Sequence, residues 1–462
     1  MRTARGSVDL PPAGRLTRPL EALVVCAGSA VALGAAAGSR EVVLAGCGVL
    51  LAVLAARSVE AFLLVALAVR ATLDHFRADS LLSPASLLGA AVIGLVVATE
   101  LRARWRGAPR RPLDAPFRVP LQLLVAVSVV SSLVSDDVLD SGAETLRLAA
   151  VLAMVVGLER WAAGPAAARR VLVAVYVSAV VPLLLAVQQL VAGGGREIGG
   201  FSRVIGTFLH PNPFSIYLTL LLVTGVALLP HLRGRVRWAM VAVVAVASVD
   251  LLFTYTRGSW LAALVGVTVV GVAQGRRVVL GALAVAVAVA VSVPSVSARF
   301  SDLSAPVTYS GGTSNSLVWR MDYWRDVVAL SSDSPVLGIG PKGIERAEPD
   351  AKNAHDDPVR EYVETGLLGL AAYLALAWSL VGLARRALRA PLAGWRRGAA
   401  VGVAGSVAAL AVVSVSSNVI TQVVLLWYVV ALAMVAVAVT THRGSPYPDL
   451  PGARTAGEVD RQ

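Results

Sequence analysis

Charge, lysine and cysteine are what this sequence lacks. Only 15% of its 462 residues are Asp, Glu, Lys or Arg, against roughly a quarter in an ordinary soluble domain. A surface that poor in charge excludes a water-soluble globule of this length. With 56% hydrophobic residues and a mean hydropathy of +0.72, the chain belongs in lipid. Lysine is confined to Lys342 and Lys352, so the net charge of +12 is carried by arginine, a bias typical of a GC-rich bacterial genome. These arginines lie in short loops between apolar runs rather than on one patch, which argues against nucleic acid as a partner. Cys26 and Cys47 both fall inside apolar segments, which excludes a disulfide framework or a cysteine metal site.

What is present is a succession of apolar runs, each near the roughly 20 residues that cross a bilayer as a helix. They fall near 20–37, 41–56, 59–73, 86–101, 119–134, 145–161, 170–192, 213–230, 238–254, 258–273, 277–294, 366–383, 399–416 and 419–440. The fold predicted is an all-α polytopic membrane bundle of about fourteen transmembrane helices. Residues 1–19 carry Arg2, Arg5, Arg15 and Arg18 without a small-residue cleavage site, and read as a cytoplasmic tail. Residues 20–441 read as one integral domain, and 442–462, rich in Pro and Gly, as a disordered cytoplasmic tail.

Loop charge sets the orientation, because cytoplasmic loops collect basic residues. Arg102, Arg104, Arg106, Arg110 and Arg111 fall on one side with Arg169 and Arg170, Arg233 to Arg237, Arg276 and Arg277, and Arg385 to Arg397. Asp136, Asp137 and Asp140 fall on the other. Both termini are therefore expected inside, and the long segment 295–365 outside the cytoplasmic membrane. A loop of about seventy residues in a compact protein is functional or disordered. Its middle, Trp319-Arg320-Met321-Asp322-Tyr323-Trp324-Arg325, is amphipathic and suits an interfacial helix.

Ionisable groups at the outer ends of spans mark candidate sites. Arg257 stands in Thr254-Tyr255-Thr256-Arg257-Gly258-Ser259-Trp260, two helical turns beyond Asp250, so a local ion pair is the plain reading of both. Arg203 precedes Gly206-Thr207-Phe208-Leu209-His210-Pro211-Asn212-Pro213 and the start of a span, where helix N-termini attract anions. Gln188 and Gln189 end the preceding span and add donors if the two helices are neighbours, while His210 reads as a cap for the following helix. In Asn353-Ala354-His355-Asp356-Asp357-Pro358, the Asp-Pro pair signals a helix start, and a helix N-terminus favours a neutral imidazole at His355. The acidic neighbours Asp356 and Asp357 pull the other way.

Together these segments resemble the O-antigen ligase/polymerase family of bacterial membrane glycosyltransferases, over about 188–375. In that family a histidine, a small polar residue, nine further residues and Gly-x-x-Gly close the large outside loop. Here His355, Asp356 and Gly366-Leu367-Leu368-Gly369 follow that frame, with Glu364 before the first glycine. Pro335-Val336-Leu337-Gly338-Ile339-Gly340, Gly206-Thr207-Phe208 to Asn212, the Thr256-Arg257-Gly258 turn, and Arg320 with Trp324 also match the pattern. Asp356 in place of Asn, Ser or Gln, and Leu370 in place of Thr or Val, depart from it.

The resemblance implies a GT-C-like fold and a metal-free, cofactor-free transfer of glycan from an undecaprenyl-diphosphate-type donor to an acceptor hydroxyl at the outer face of the cytoplasmic membrane. Arginine suits that chemistry because its planar fork grips phosphate as charge builds on the leaving diphosphate. His355, Arg257 and Arg320 are then the expected catalytic residues, with Arg203, Arg257, Arg320 and Glu364 binding substrate diphosphate. Asp250, Gln188, Asp356, Gly366 and Gly369 would support them. The expected partners are the lipid-linked oligosaccharide donor, a glycan or lipid-linked acceptor, and membrane lipids, with polysaccharide polymerisation for an exopolysaccharide or capsule favoured over ligation. The rival classes are a lipid-linked glycan transporter or flippase, which calls for repeated spans and broken helices, and a noncatalytic scaffold for envelope assembly.

Overall fold

The computed structural model describes residues 40–76, 83–108, 111–198, 200–275, 316–347 and 355–441, with isolated positions between 277 and 294. The expected N-terminal tail, the span at 20–37, the first part of the outside loop and the C-terminal tail lie outside the described residues. The chain divides after Ala66 into two compact units. The first unit contains helix α1 (Arg40–Arg57) and the start of α2 (Val59–Leu73).

The second unit is helical apart from one hairpin. Its helices are α3 (Pro84–Trp105), α4 (Arg118–Leu133), α5 (Val138–Trp161), α6 (Pro165–Val177), α7 (Val180–Ala192), α8 (Pro211–Leu228), α9 (Gly234–Phe253) and α10 (Arg257–Gln274). After the undescribed stretch come α11 (Ser316–Ala329), α12 (Gly343–Ala347), α13 (Asp357–Arg389), α14 (Gly394–Ser414) and α15 (Val423–Thr441). Among the described residues nine helical segments are long and apolar enough to cross a membrane. The chain is a multi-pass membrane protein.

Two departures from a straight helix are not visible in hydropathy. The span expected at 170–192 is two helices, α6 and α7, meeting at Ser178 and Ala179. Pro182 causes the break, since it has no N–H to return to the Ser178 carbonyl. The second departure is antiparallel strand pairing of β1 (Arg196–Ile198) with β2 (Phe201–Arg203), which puts Arg196 opposite Arg203 at the mouth of α8.

The core is α15, with 94% of its spanning window buried. Its sequence is apolar around the whole circumference, which is the pattern of a helix enclosed by others. One polar exception sets the geometry of the site. The Tyr428 hydroxyl donates to the Leu67 carbonyl (3.0 Å) and accepts from the Ala71 N–H (2.9 Å). Those two backbone groups would otherwise bond each other, so the phenol is inserted into the last turn of α2 and redirects the chain leaving it. Thr207 fixes the same turn by donating to the Ala71 carbonyl at 2.8 Å. The outcome is that Asp74, one turn on, stands beside the start of α8.

Candidate active site

The end of the second unit that carries His355 is built by a loop folding down onto helices. Helix α13 runs for 33 residues but bends at Gly366, whose backbone is non-helical (φ 67°, ψ −167°). The ladder broken there is completed by Pro335 to Gly340. Ile339 N–H donates to Val363 O (3.0 Å), Gly340 N–H to Glu364 O (2.9 Å) and Leu367 N–H to Pro335 O (2.9 Å). The approach is so close that a side chain on Gly366 would strike the Val336 backbone, and one on Gly338 the Glu364 backbone. Both glycines also hold positive φ, at 67° and 70°. The two glycine motifs of the sequence are thus halves of one contact.

Other bonds hold the same loop. Lys342 Nζ and Arg346 reach Asp140 at 3.0 and 3.2 Å, and Arg346 also donates to Ser135 and Ser141. Val327 of α11, Ile344 of α12 and Val363 of α13 form a buried cluster flanked by Tyr323, Val359 and Tyr362. Described parts of the loop are therefore packed against the bundle.

His355 lies immediately before α13, with a left-handed backbone (φ 52°) that a non-glycine residue holds only when its surroundings impose it. Three bonds impose it here. Asp356 caps the helix by accepting from Val359 N–H (2.8 Å), its own N–H donates to Asn418 Oδ1 (3.2 Å), and Asp357 accepts from Ile420 N–H (3.1 Å). The helix therefore begins one residue earlier than the Asp-Pro signal implied. It also gives the departure at Asp356 a physical meaning, because Asp, Asn and Ser are interchangeable as N-caps.

His355 lines a cleft of about 220 Å³ with Asp74, Leu209, His210, Asn212, Pro213, Ser417, Asn418 and Gln422. His210 is the N-cap of α8, its Nδ1 accepting from Asn212 N–H at 3.2 Å. That bond needs a bare Nδ1, so the ring is neutral and its proton sits on Nε2. Burial, with Arg196 and Arg203 nearby, pushes its pKa down to about 4. The cap expected of His210 is present, and a cleft position accompanies it.

Of the expected cations, Arg257 and Arg203 stand beside this cleft rather than in its lining. Arg257 is the first residue of α10, half-buried. Its neighbours tie it to two walls: Thr256 donates to Asn212 (3.4 Å), and Gly258 lies against Ser416. Arg203 is buried at the end of β2, beside the Val204 N–H that donates to Phe253 O (3.1 Å). Arg320 lies on α11, which packs against α13.

Three supporting assignments change. Asp250 is fully buried, and its carboxylate makes no bond among the described residues, so the local pair with Arg257 is absent. The reason is Tyr255 (φ 50°), which breaks the helix between them and puts the two on different helices. Gln188 is exposed, and Gln189 holds the turn before α8 instead, accepting from the N–H groups of Ile205 and Gly206 and donating to the Gly206 carbonyl, all at 3.0 Å. Glu364 is buried and outside the cleft lining, paired with Arg360 one helical turn before it (3.0 Å), and its carbonyl accepts from Ser131 of α4 (2.7 Å). Gly369 lies in α13 three residues past the bend.

Sequence reading misses Asn418, Gln422, Ser417 and Asp74. The signal for Ser417 and Asn418 is the polar run Ser416-Ser417-Asn418 between two apolar spans, which hydropathy reduces to a two-residue turn and which is a longer connection between α14 and α15, whereas Gln422 falls inside the span expected at 419–440.

Residues 241–374 match the family described as O-antigen ligase. That segment contains Arg257, Arg320 and His355, while Arg203 and His210 precede it. No curated protein matches the chain.

Proposed function

We propose that this multi-pass membrane protein, which matches the O-antigen ligase family over 241–374, is a membrane glycan ligase or polymerase that moves glycan from a polyprenyl-diphosphate carrier onto an acceptor hydroxyl. The reaction takes place at the outer face of the cytoplasmic membrane, with both termini inside. His355 takes the proton of the acceptor hydroxyl as that oxygen attacks the anomeric carbon from the face opposite the diphosphate. The bond to the leaving phosphate oxygen breaks with inversion, and Arg257 and Arg320 stabilise the charge left on the diphosphate. Arg203 attracts the anionic headgroup to the same end. Permanently charged guanidinium groups fill the place a metal ion would otherwise take.

The observation that carries this reading is the convergence of His355 and the Arg257 turn on one polar cleft at the end of a membrane bundle. Glu364 acts through Arg360 and the bend in α13, so it is a positioning residue here. A flippase would move the same lipid without making a glycosidic bond, and a scaffold would do neither.

The test is reconstitution of the full chain with polyprenyl-diphosphate oligosaccharides, followed by product analysis. Transfer that disappears in His355→Ala while donor binding persists is the expected result. Undiminished transfer by that variant ends the assignment of His355 as the base.

A further inference from the structure

The cleft has two kinds of wall. Cations stand around it, but its lining residues are mostly uncharged hydrogen-bonding groups: His210, Asn212, Ser417, Asn418 and Gln422, with Asp74 as the one carboxylate. Asp74 is paired with Arg70 at 3.5 Å. A diphosphate is recognised by guanidinium groups and amides of helix starts, whereas this lining suits a neutral ligand dense in hydroxyls.

The donor and acceptor directions of this wall are set by bonds already made. Asn418 gives its Oδ1 to the Asp356 N–H, which forces its Nδ2 to be the amide end left for the cleft. His210 gives Nδ1 to the Asn212 N–H, which leaves Nε2–H as a fixed donor with no lone pair for a proton. The side chain of Gln422 makes no hydrogen bond among the described residues and offers both a donor and an acceptor. The cavity volume of about 220 Å³ lies below the roughly 300–1,000 Å³ of drug-sized sites, which limits the cleft to a small ligand.

We propose that His210, Ser417, Asn418 and Gln422 form a subsite for a neutral sugar ring of the acceptor, placed so that one of its hydroxyls meets His355. This inference rests on the glycan-transfer reading above. His210 is a hydrogen-bond donor to the ring and His355 the base, so the two imidazoles of the cleft have different tasks.

The test needs no turnover. Full-length protein in detergent is examined by saturation-transfer NMR with methyl glycosides of common hexoses and deoxyhexoses, and separately by titration with inorganic diphosphate. His210→Asp and Asn418→Asp keep the N-cap and the acceptor for Asp356 N–H, so both should melt like the parent, and Gln422→Met keeps the side-chain volume. At least one glycoside is expected to bind the parent and to weaken tenfold or more in each variant, with diphosphate binding not weakened. Failure of every glycoside to bind, or equal binding by parent and variants, overturns the subsite. Because this result does not depend on transfer, a chain that binds glycoside but joins no glycan would refute the function and leave the subsite intact.

Discussion

At one end of the second unit Glu159 is wholly buried, pairs with Arg118 (3.0 Å) and accepts from Arg111 (3.1 Å) and the Ala115 N–H (2.8 Å). Glu100 beside it takes Arg160 at 2.6 Å and Arg111 at 3.0 Å. At the other end His355, Asn418 and Gln422 line a cleft with polar groups facing open space. Both ends are rich in ionisable residues, yet one closes them into a buried ion-pair cluster while the other borders an open cleft. Buried charge is tolerated at the first because each carboxylate oxygen has a donor. The lesson is that charge at the end of a membrane helix is a better pointer to function where it borders an open cleft than where it lies in a closed cluster of ion pairs.

Substitutions at each end should separate these roles. His355→Ala is expected to lower kcat for glycan transfer by about 10²–10⁴-fold with little change in melting temperature, and a loss below tenfold in steady-state assays would break the contrast. Arg257→Ala should cost about 10²–10³-fold in kcat, with partial recovery in Arg257→Lys, since one positioned cationic donor is worth that much to a developing charge.

Glu159→Ala should do the reverse. It strands Arg111 and Arg118 and should destabilise the protein by ~3 kcal/mol in denaturation assays, while kcat per folded molecule stays unchanged. A selective loss of kcat would mean that the ion-paired end takes part in the reaction.

Gly366→Ala belongs to the site end but should act through folding, because its positive φ and the Val336 contact both resist a side chain. A cost of roughly 1–3 kcal/mol is expected from strain alone, and melting of Gly366→Ala beside Gly382→Ala, whose added methyl would meet only the far end of Arg386, measures it.

The smallest effect concerns His210. Its folded pKa of about 4 lies below the roughly 6.5 of an unfolded histidine, so between these values the unfolded state binds the extra proton. Stability from this group is thus full above about pH 6.5 and is lost as pH falls toward 4. His210→Asn should flatten that limb of the melting-temperature profile while retaining the cap.

Much of this organisation is legible in the chain itself. Spans at 59–73, 119–134, 213–230, 238–254 and 258–273 each correspond to a helix within a few residues, because a long apolar run in lipid must close its backbone hydrogen bonds within the segment. His355, Arg257, Gly366 and the Pro335–Gly340 stretch can be singled out because family motifs preserve local order. Asn418 and Gln422 cannot, since their importance comes from the Asp356 N–H more than sixty residues earlier and from a cleft wall that no local pattern encodes.

The sequence alone determined the solvent of this protein and the place of most of its helices, because hydropathy acts over short stretches of chain. Only the tertiary structure decided which charges meet. Tyr255 separated Asp250 from Arg257, the bend at Gly366 brought the Pro335–Gly340 stretch onto α13, and the α14–α15 connection came up beside His355. Those outcomes depend on backbone bends and on bonds between distant segments, where a change of one φ angle redirects a side chain that the sequence still places in the same position.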